Sequence, residues 1–233
     1  MTAGVEVVRR GALELFVSGP PMQAPAELEG RIQELWEAEK AVRPSIVNGS
    51  IVCFGARTGG RVDARLAEYR LFIARERDSS IRLRLGLQAI GVTGVVVDSA
   101  GKILVGHRGA DVTEYPGALE LVPSGSLASD SVGENGRVDT LGALLSELEE
   151  ETGIERASVA SVVPLGMLRD TDQDGFDICY ELHLAAGATL SAFAAGEYRD
   201  LALLDGSEVA ALIADGRPAV PTSRALLELR VPR

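Results

Sequence analysis

Cysteine is nearly absent: only Cys53 and Cys179 occur in 233 residues, far apart and without metal-ligand spacing. This argues against a disulfide framework or a thiolate zinc site and leaves two buried thiols in a reducing compartment. No apolar run approaches the length of a membrane span, and residues 1–16 lack the layout of a signal peptide, so a soluble, cytoplasmic protein is expected. Positive charge is in short supply, with 23 Lys and Arg against 34 Asp and Glu, a net charge of −11. Nucleic-acid backbones and anionic membranes are therefore poor partners, and an anionic substrate would need a metal ion or a few arginines to relieve the field. There are no internal repeats, no heptads, and no glycine-rich loop with the lysine that a P-loop requires.

What is present is an ordinary hydrophobic content, 46%, in a chain long enough for one large domain or a domain with a sizeable N-terminal extension. The expected division is 1–85 as an α+β extension and 86–233 as the main domain. Val5–Val17 reads as one or two strands broken at Gly11, and Pro25–Lys40 as a helix with Leu28, Ile32, Leu35 and Trp36 on its core face. Ile51–Phe54 and Arg61–Ala74 read as strands of a hairpin around Gly59-Gly60. Arg70, Arg75, Arg77, Arg82 and Arg84 form either a solvated strand face or a rim for substrate phosphates. A second unit begins near Ile81: Ile90–Val97 suits a strand buried on both faces, and Ser99-Ala100-Gly101 turns it into Lys102–His107. Arg108, at the end of that strand, is a candidate for phosphate, ahead of His107; Tyr115 could stack on a base or simply cover the core. In the tail from Gly196, Ser207–Ala214 with Ser207 as its cap and Pro221–Leu229 read as helices.

The most informative stretch is Leu141–Ile154, LGALLSELEEETGI. At about 100° per residue, Leu141, Leu144, Leu145 and Leu148 form an apolar stripe. Glu147, Glu150 and Glu151, spaced i, i+3 and i+4, share a ridge that starts beside the stripe at Glu151 and runs to the far side at Glu150. Like charges so spaced each cost about 0.2–0.5 kcal/mol in an isolated helix. Such a cost suggests a positive partner, and clustered carboxylates suit a hard divalent cation, Mg²⁺ or Mn²⁺. Gly153 is placed to end the helix in the left-handed conformation. Further on, Asp170, Asp172, Asp174, Gly175 and Glu181 fit positions of a calcium-binding EF-hand loop. Their flanks alternate as strands, so a hairpin turn is the expectation there.

Glu147, Leu148, Glu150, Glu151, Gly153 and Ile154 match without a gap the second half of the box G-x5-E-x7-R-E-U-x-E-E-x-G-U, with U aliphatic, and Gly125 resembles its opening glycine. The chain from about Ile90 to Leu229 thus resembles the Nudix hydrolase family. The N-terminal part has a looser similarity to the extended branch of that family that includes a UDP-glucose pyrophosphatase. Three features depart from the pattern. The distance from Gly125 to the helix is about seven residues longer, Val138 stands where the box has its first glutamate, and Ser146 stands where it has an arginine that braces the box carboxylates.

The resemblance implies an α/β/α sandwich with a mixed sheet, and a Mg²⁺- or Mn²⁺-dependent enzyme that cleaves a nucleoside diphosphate linked to another moiety, a nucleotide sugar such as UDP-glucose being favoured. Metal ligands would be Glu147, Glu150, Glu151 and the Gly125 carbonyl. The general base would be Glu150 or Glu151, or Asp174 or Asp177 if the hairpin folds over the site. Substrate contacts would come from Arg108, Tyr115 and Arg70. A homodimer is compatible with the N-terminal sheet extension. The competing reading is a Nudix-fold protein that binds a nucleotide-like ligand or a partner and is weak or inactive in catalysis.

Overall fold

The computed structural model describes residues 4–110, 112–188, 190, 198–214 and 218–230. The chain divides into two compact units, one of 1–12, 91–125 and 140–233, the other of 13–90 and 126–139. Neither is a continuous segment. The expected break between 85 and 86 therefore differs from the observed division at both ends: the first strand joins the main sheet, and the stretch after Gly125 belongs with the N-terminal residues.

The first unit is built on a sheet of eight strands. β1 (Val5–Arg10), β9 (Val159–Asp170), β10 (Gly175–Leu184), β5 (Ile90–Val97), β6 (Ile103–Arg108) and β11 (Tyr198–Leu204) follow one another in space. The short strands β7 (Leu119–Leu121) and β8 (Ser124–Ser126) pair with β6 and β5. β5 is a valine-rich run buried along almost its whole length, as a central strand must be. Its exit turn is tied by Asp98, whose Oδ1 accepts from the amides of Ala100 (2.9 Å) and Lys102 (2.8 Å). Valines 95 and 97 of β5 enter a core with Val209, Leu226 and Leu229. Those three belong to the C-terminal helices α5 (Gly206–Ala214) and α6 (Pro221–Arg230). On the opposite face, Gly94 lies under Leu144 of α4 (Thr140–Thr152), whose Cδ2 is 3.4 Å from where a Cβ would stand. Helices thus cover both faces of the sheet, the α/β/α sandwich expected.

The second unit carries a three-stranded sheet, β2 (Glu14–Val17), β4 (Arg61–Glu68) and β3 (Ser50–Thr58), in that order. The helices α1 (Glu29–Val42), α2 (Tyr69–Arg77) and α3 (Ser79–Leu85) complete it. Trp36 is core, as expected, with Ile32, Leu71 and Ile73. The strand expected over Arg61–Ala74 stops at Glu68, where α2 takes over. The Leu, Ala, Arg and Glu content of α2 favours a helix, and the Asn48 side chain starts it, Oδ1 accepting from the Arg70 amide at 2.9 Å. Asp78 then starts α3 by accepting from the amides of Ser80 and Ile81, and Gly86 ends it at φ +56°. Ile81, where a new unit was expected to begin, lies inside α3. The five arginines accordingly sit on helices, not on a strand face, and each has a carboxylate: Arg70 with Glu68 and Glu29, Arg75 and Arg82 with Glu76, Arg77 with Glu39, and Arg84 with Glu27.

Two further differences concern the tail. β11 has no counterpart in the sequence reading; it is an edge strand whose hydrophobic pattern is short and interrupted by Asp200 at φ +53°. The cap of α5 is Asp205 instead of Ser207: its carbonyl accepts from Val209, and Glu208 reaches back to its amide at 2.8 Å. Gly196, where the tail reading began, lies outside the described residues. Both cysteines are buried and free. Burial pushes the Cys53 thiol up to about 12 and raises that of Cys179 as well. Among the described residues no helix is long and apolar enough to cross a membrane.

Candidate active site

The acidic helix α4 is anchored at both ends. At its start the buried Thr140 hydroxyl bonds the Tyr180 hydroxyl of β10 at 2.6 Å. Leu144 and Leu148 are fully buried, whereas Leu141 and Leu145 are partly covered. At its end Gly153 adopts φ +68° and donates to the Glu149 carbonyl at 3.0 Å, so the helix closes where the glycine predicts. Arg156 folds back over this last turn. Its amide and guanidinium bond the Glu149 carboxylate, lowering the ionisation range of that acid, and its Nη2 donates to Ser146 Oγ at 3.2 Å. Val138, at the position of the box's first glutamate, is a buried core residue.

The three ridge carboxylates are graded in exposure. Glu150 is exposed, Glu147 half-buried, and Glu151 only 5% exposed. Two of them meet the backbone of β8. The Glu147 carboxylate lies directly against the Cα of Gly125, in space that any side chain there would fill. Glu151 Oε2 accepts from the Ser124 amide at 3.3 Å. Gly125 is thus required by close approach, which is a stronger reason for glycine than its place in a motif.

Gly91 on β5 makes a second gap of the same kind. A Cβ built on it would lie 2.8 Å from Asp177 Oδ1 and 2.9 Å from the Gly125 carbonyl oxygen. Gly125 thus has Glu147 on one side, while its carbonyl oxygen and Asp177 Oδ1 share the space over Gly91; Glu151 reaches the neighbouring Ser124 amide. All the oxygens there are hard donors. Among the described residues no three His, Cys, Asp or Glu side chains are already drawn together as a metal cluster.

Asp177 also lies within reach of further acids. Burial, with the negative charges of Glu114, Glu120 and Asp170, pushes its carboxyl up to about 7, while Arg108 pulls it the other way. Arg108 is 12% exposed and bonds the Glu120 carboxylate, itself 4% exposed, through one Nη, and the Glu114 carbonyl through Nε at 3.0 Å. The Tyr198 hydroxyl also donates to Glu120, at 2.7 Å. Tyr115, at φ +48° and half-buried, donates its hydroxyl to Asp170 Oδ2; burial first, and then this bond, raise the ionisation range of the phenol. Asp170 Oδ1 accepts from the amides of Asp172 and Gln173, and Asp174 pairs with Arg169, so the acidic run forms a hairpin turn between β9 and β10.

Of the residues singled out from sequence, the fold places Glu147 and Glu151 against the backbone of Gly125 and Ser124, sets Asp177 beside Gly91 with the Gly125 carbonyl, and leaves Glu150 exposed. Arg108 and Tyr115 lie on the elements around Asp177. Arg70 belongs to the second unit, held by Glu68 and Glu29. Sequence reasoning missed Gly91, Glu114, Glu120 and Tyr198, and considered Asp170 only as a position of a calcium-binding loop. Glu120 carried a readable signal, since a charged residue between two leucines in a strand must find a buried partner.

No family model matches the sequence, and no curated protein matches it. Solved structures similar to the chain include DR0079 from Deinococcus radiodurans, at 20% identity and TM-score 0.46, covering 61% of this chain and 83% of that one. The NUDIX domain of Shewanella oneidensis NrtR, complexed with ADP ribose, is 17% identical at TM-score 0.47, covering 61% and 85%. A NUDIX hydrolase from Nitrosomonas europaea is 15% identical at TM-score 0.41, covering 61% and 87%.

Proposed function

We propose that this chain is a divergent Nudix-type hydrolase that cleaves the diphosphate bond of a nucleoside diphosphate linked to another moiety, a nucleotide sugar being favoured, with Mg²⁺ or Mn²⁺ as cofactor. One observation carries the reading: bare Gly125 takes the Glu147 carboxylate against its Cα, its carbonyl oxygen and Asp177 Oδ1 share the space over bare Gly91, and buried Glu151 bonds the neighbouring Ser124 amide. Carboxylates held half-buried or buried against bare backbone carry a desolvation cost that a bound cation would offset. Glu147, Glu151 and the Gly125 carbonyl would hold it, with Glu150 reaching in from the exposed side. When bound, the ion supplies charge neutralisation at the phosphate oxygens and acidifies a water it carries. Asp177 is suited to take the proton of the attacking water, because its carboxyl changes state near pH 7, with Glu150 or Glu151 as alternatives. Tyr115 and Arg108 would line the approach of substrate.

The test is product release from UDP-sugars, ADP-ribose and dinucleotide polyphosphates with and without Mg²⁺ or Mn²⁺. Cation-dependent turnover that falls at least about a hundredfold in Glu147→Gln and Glu151→Gln is the expected result. Turnover indifferent to both substitutions, or none, removes the reading. A binding protein without catalysis is the second reading, favoured by Ser146 and Val138 standing where the box has its arginine and first glutamate. It predicts ligand affinity by calorimetry with no product on any of these compounds.

A further inference from the structure

The placement of α4 decides where Glu147 and Glu151 stand, and their positions against Gly125 and Ser124 leave little slack. Leu144 and Leu148 are fully buried and hold the helix by apolar packing, which is non-directional and lets a helix roll about its axis. A hydrogen bond resists such a roll. The Thr140 and Tyr180 hydroxyls share one at 2.6 Å, and both residues are only 8% exposed, where such a bond is costly to lose. Glu147 and Glu151 follow Thr140 by seven and eleven places, which at about 100° per residue sets them about 20° to either side of it. The tied residue and the two carboxylates thus form one stripe. A side-chain tip stands about 5–6 Å from the helix axis, so a roll of about 10° carries a carboxylate about 1 Å. Misplacing a catalytic group by that much can cost about a hundredfold. Tyr180 belongs to β10, the strand that also carries Asp177. One strand therefore places the proposed base and ties the helix that would hold the cation.

We propose, resting on the hydrolase reading above, that Tyr180 is a positioning residue: through the Thr140 hydroxyl it sets the roll of α4, and so the reach of Glu147 and Glu151 toward a cation at the Gly125 carbonyl. It acts at one remove from the cation and the substrate, as groups that orient metal ligands do. Tyr180→Phe keeps the ring and removes the tie. Thr140→Val removes it from the other side with a side chain of similar shape, and Thr140→Ser keeps the hydroxyl.

The experiment reads Mn²⁺ affinity by electron paramagnetic resonance, without substrate, alongside kcat and KM for UDP-glucose and ADP-ribose at saturating Mn²⁺. Tyr180→Phe and Thr140→Val should each weaken Mn²⁺ binding about tenfold and lower kcat about tenfold, with KM within about twofold of wild type. The double variant should be no worse than either single one, since both remove the same bond. Thr140→Ser should stay within about twofold of wild type in both readouts, because its hydroxyl remains. Leu226→Val, in the core on the α6 face of the sheet, should lower the urea midpoint yet leave Mn²⁺ affinity within about twofold, which separates loss of position from loss of stability. Unmoved Mn²⁺ affinity and kcat in a folded Tyr180→Phe overturn the inference and leave the hydrolase reading standing. An equal loss of affinity in Leu226→Val does the same. If Thr140→Val fails to fold, Tyr180→Phe and Thr140→Ser decide. Mn²⁺ binding without turnover of either compound removes the hydrolase reading, and the Mn²⁺ affinities of the variants then decide the inference alone. A wild-type chain that binds no Mn²⁺ overturns both.

Discussion

Two missing side chains matter as much as any present. Gly125 has Glu147 pressed on its Cα, and a methyl there would have to displace that carboxylate. Because misplacing a catalytic group by about 1 Å can cost about a hundredfold, Gly125→Ala should lower kcat by that order while far-ultraviolet circular dichroism stays that of the parent. Asp177 offers a prediction that needs no substrate. Its carboxyl ionises near 3.8 in an unfolded chain and at about 7 in the native one. The folded state therefore keeps a proton across that window that the unfolded state has released, and stability falls as pH rises through it. Asp177→Asn removes the fall. In metal-free buffer its gain in Tm over wild type should be near zero at pH 3.5, grow between about pH 4 and 7, and level off above; a gain independent of pH would contradict the assignment. Both sites were half legible in sequence. Gly125 was found through a motif, but Gly91 was not, because nothing in a valine-rich strand announces which position faces another backbone.

At the scale of elements, α4 was the most readable part of the chain, since amphipathic spacing and a terminal glycine both specify it. Gly153 sits at φ +68°, where an L-residue is strained. Gly153→Ala should cost about 1 kcal/mol, measured as a lower urea midpoint with an unchanged slope. The neighbouring Arg156, bound to Ser146 and Glu149, could not have been found by periodicity, since it lies past the glycine that ends the helix. The error over Tyr69–Ala74 has a different origin. YRLFIA is apolar enough to pass for a strand, and only the tertiary bond from Asn48 to the Arg70 amide shows where the chain turns helical. β11 was missed because its pairing with β6 is irregular between Arg199 and Ala202, so its residues do not alternate cleanly.

On the scale of the whole molecule, the layered α/β architecture followed from strand, strand, acidic helix and hairpin in sequence order. The partition into units did not, because a chain that crosses between units leaves no mark in composition. β1 is the clearest instance: residues 5 to 10 pair antiparallel with β9, from Val5 opposite Asp170 to Arg10 opposite Gly166. Deleting residues 1–12 should therefore uncover the hydrogen-bonding edge of β9. The expected outcome is a lower Tm and concentration-dependent light scattering; a truncated chain as stable and monodisperse as the parent would show that β1 adds nothing to the sheet.

The stretch that separates Gly125 from α4 is longer than the box allows, and it is no idle loop. Its residues bond the N-terminal part of the chain: Val17 donates to the Gly136 carbonyl, Val138 to that of Leu15, and Val52 to that of Leu127, each at 2.8 or 2.9 Å. Pruning it by about seven residues would shorten the path that joins these three bonds, from Leu127 to Val138. Surplus length in a motif can thus become indispensable once another part of the polypeptide has been stitched to it, and an engineer who trims by alignment would discover the seam only by cutting it.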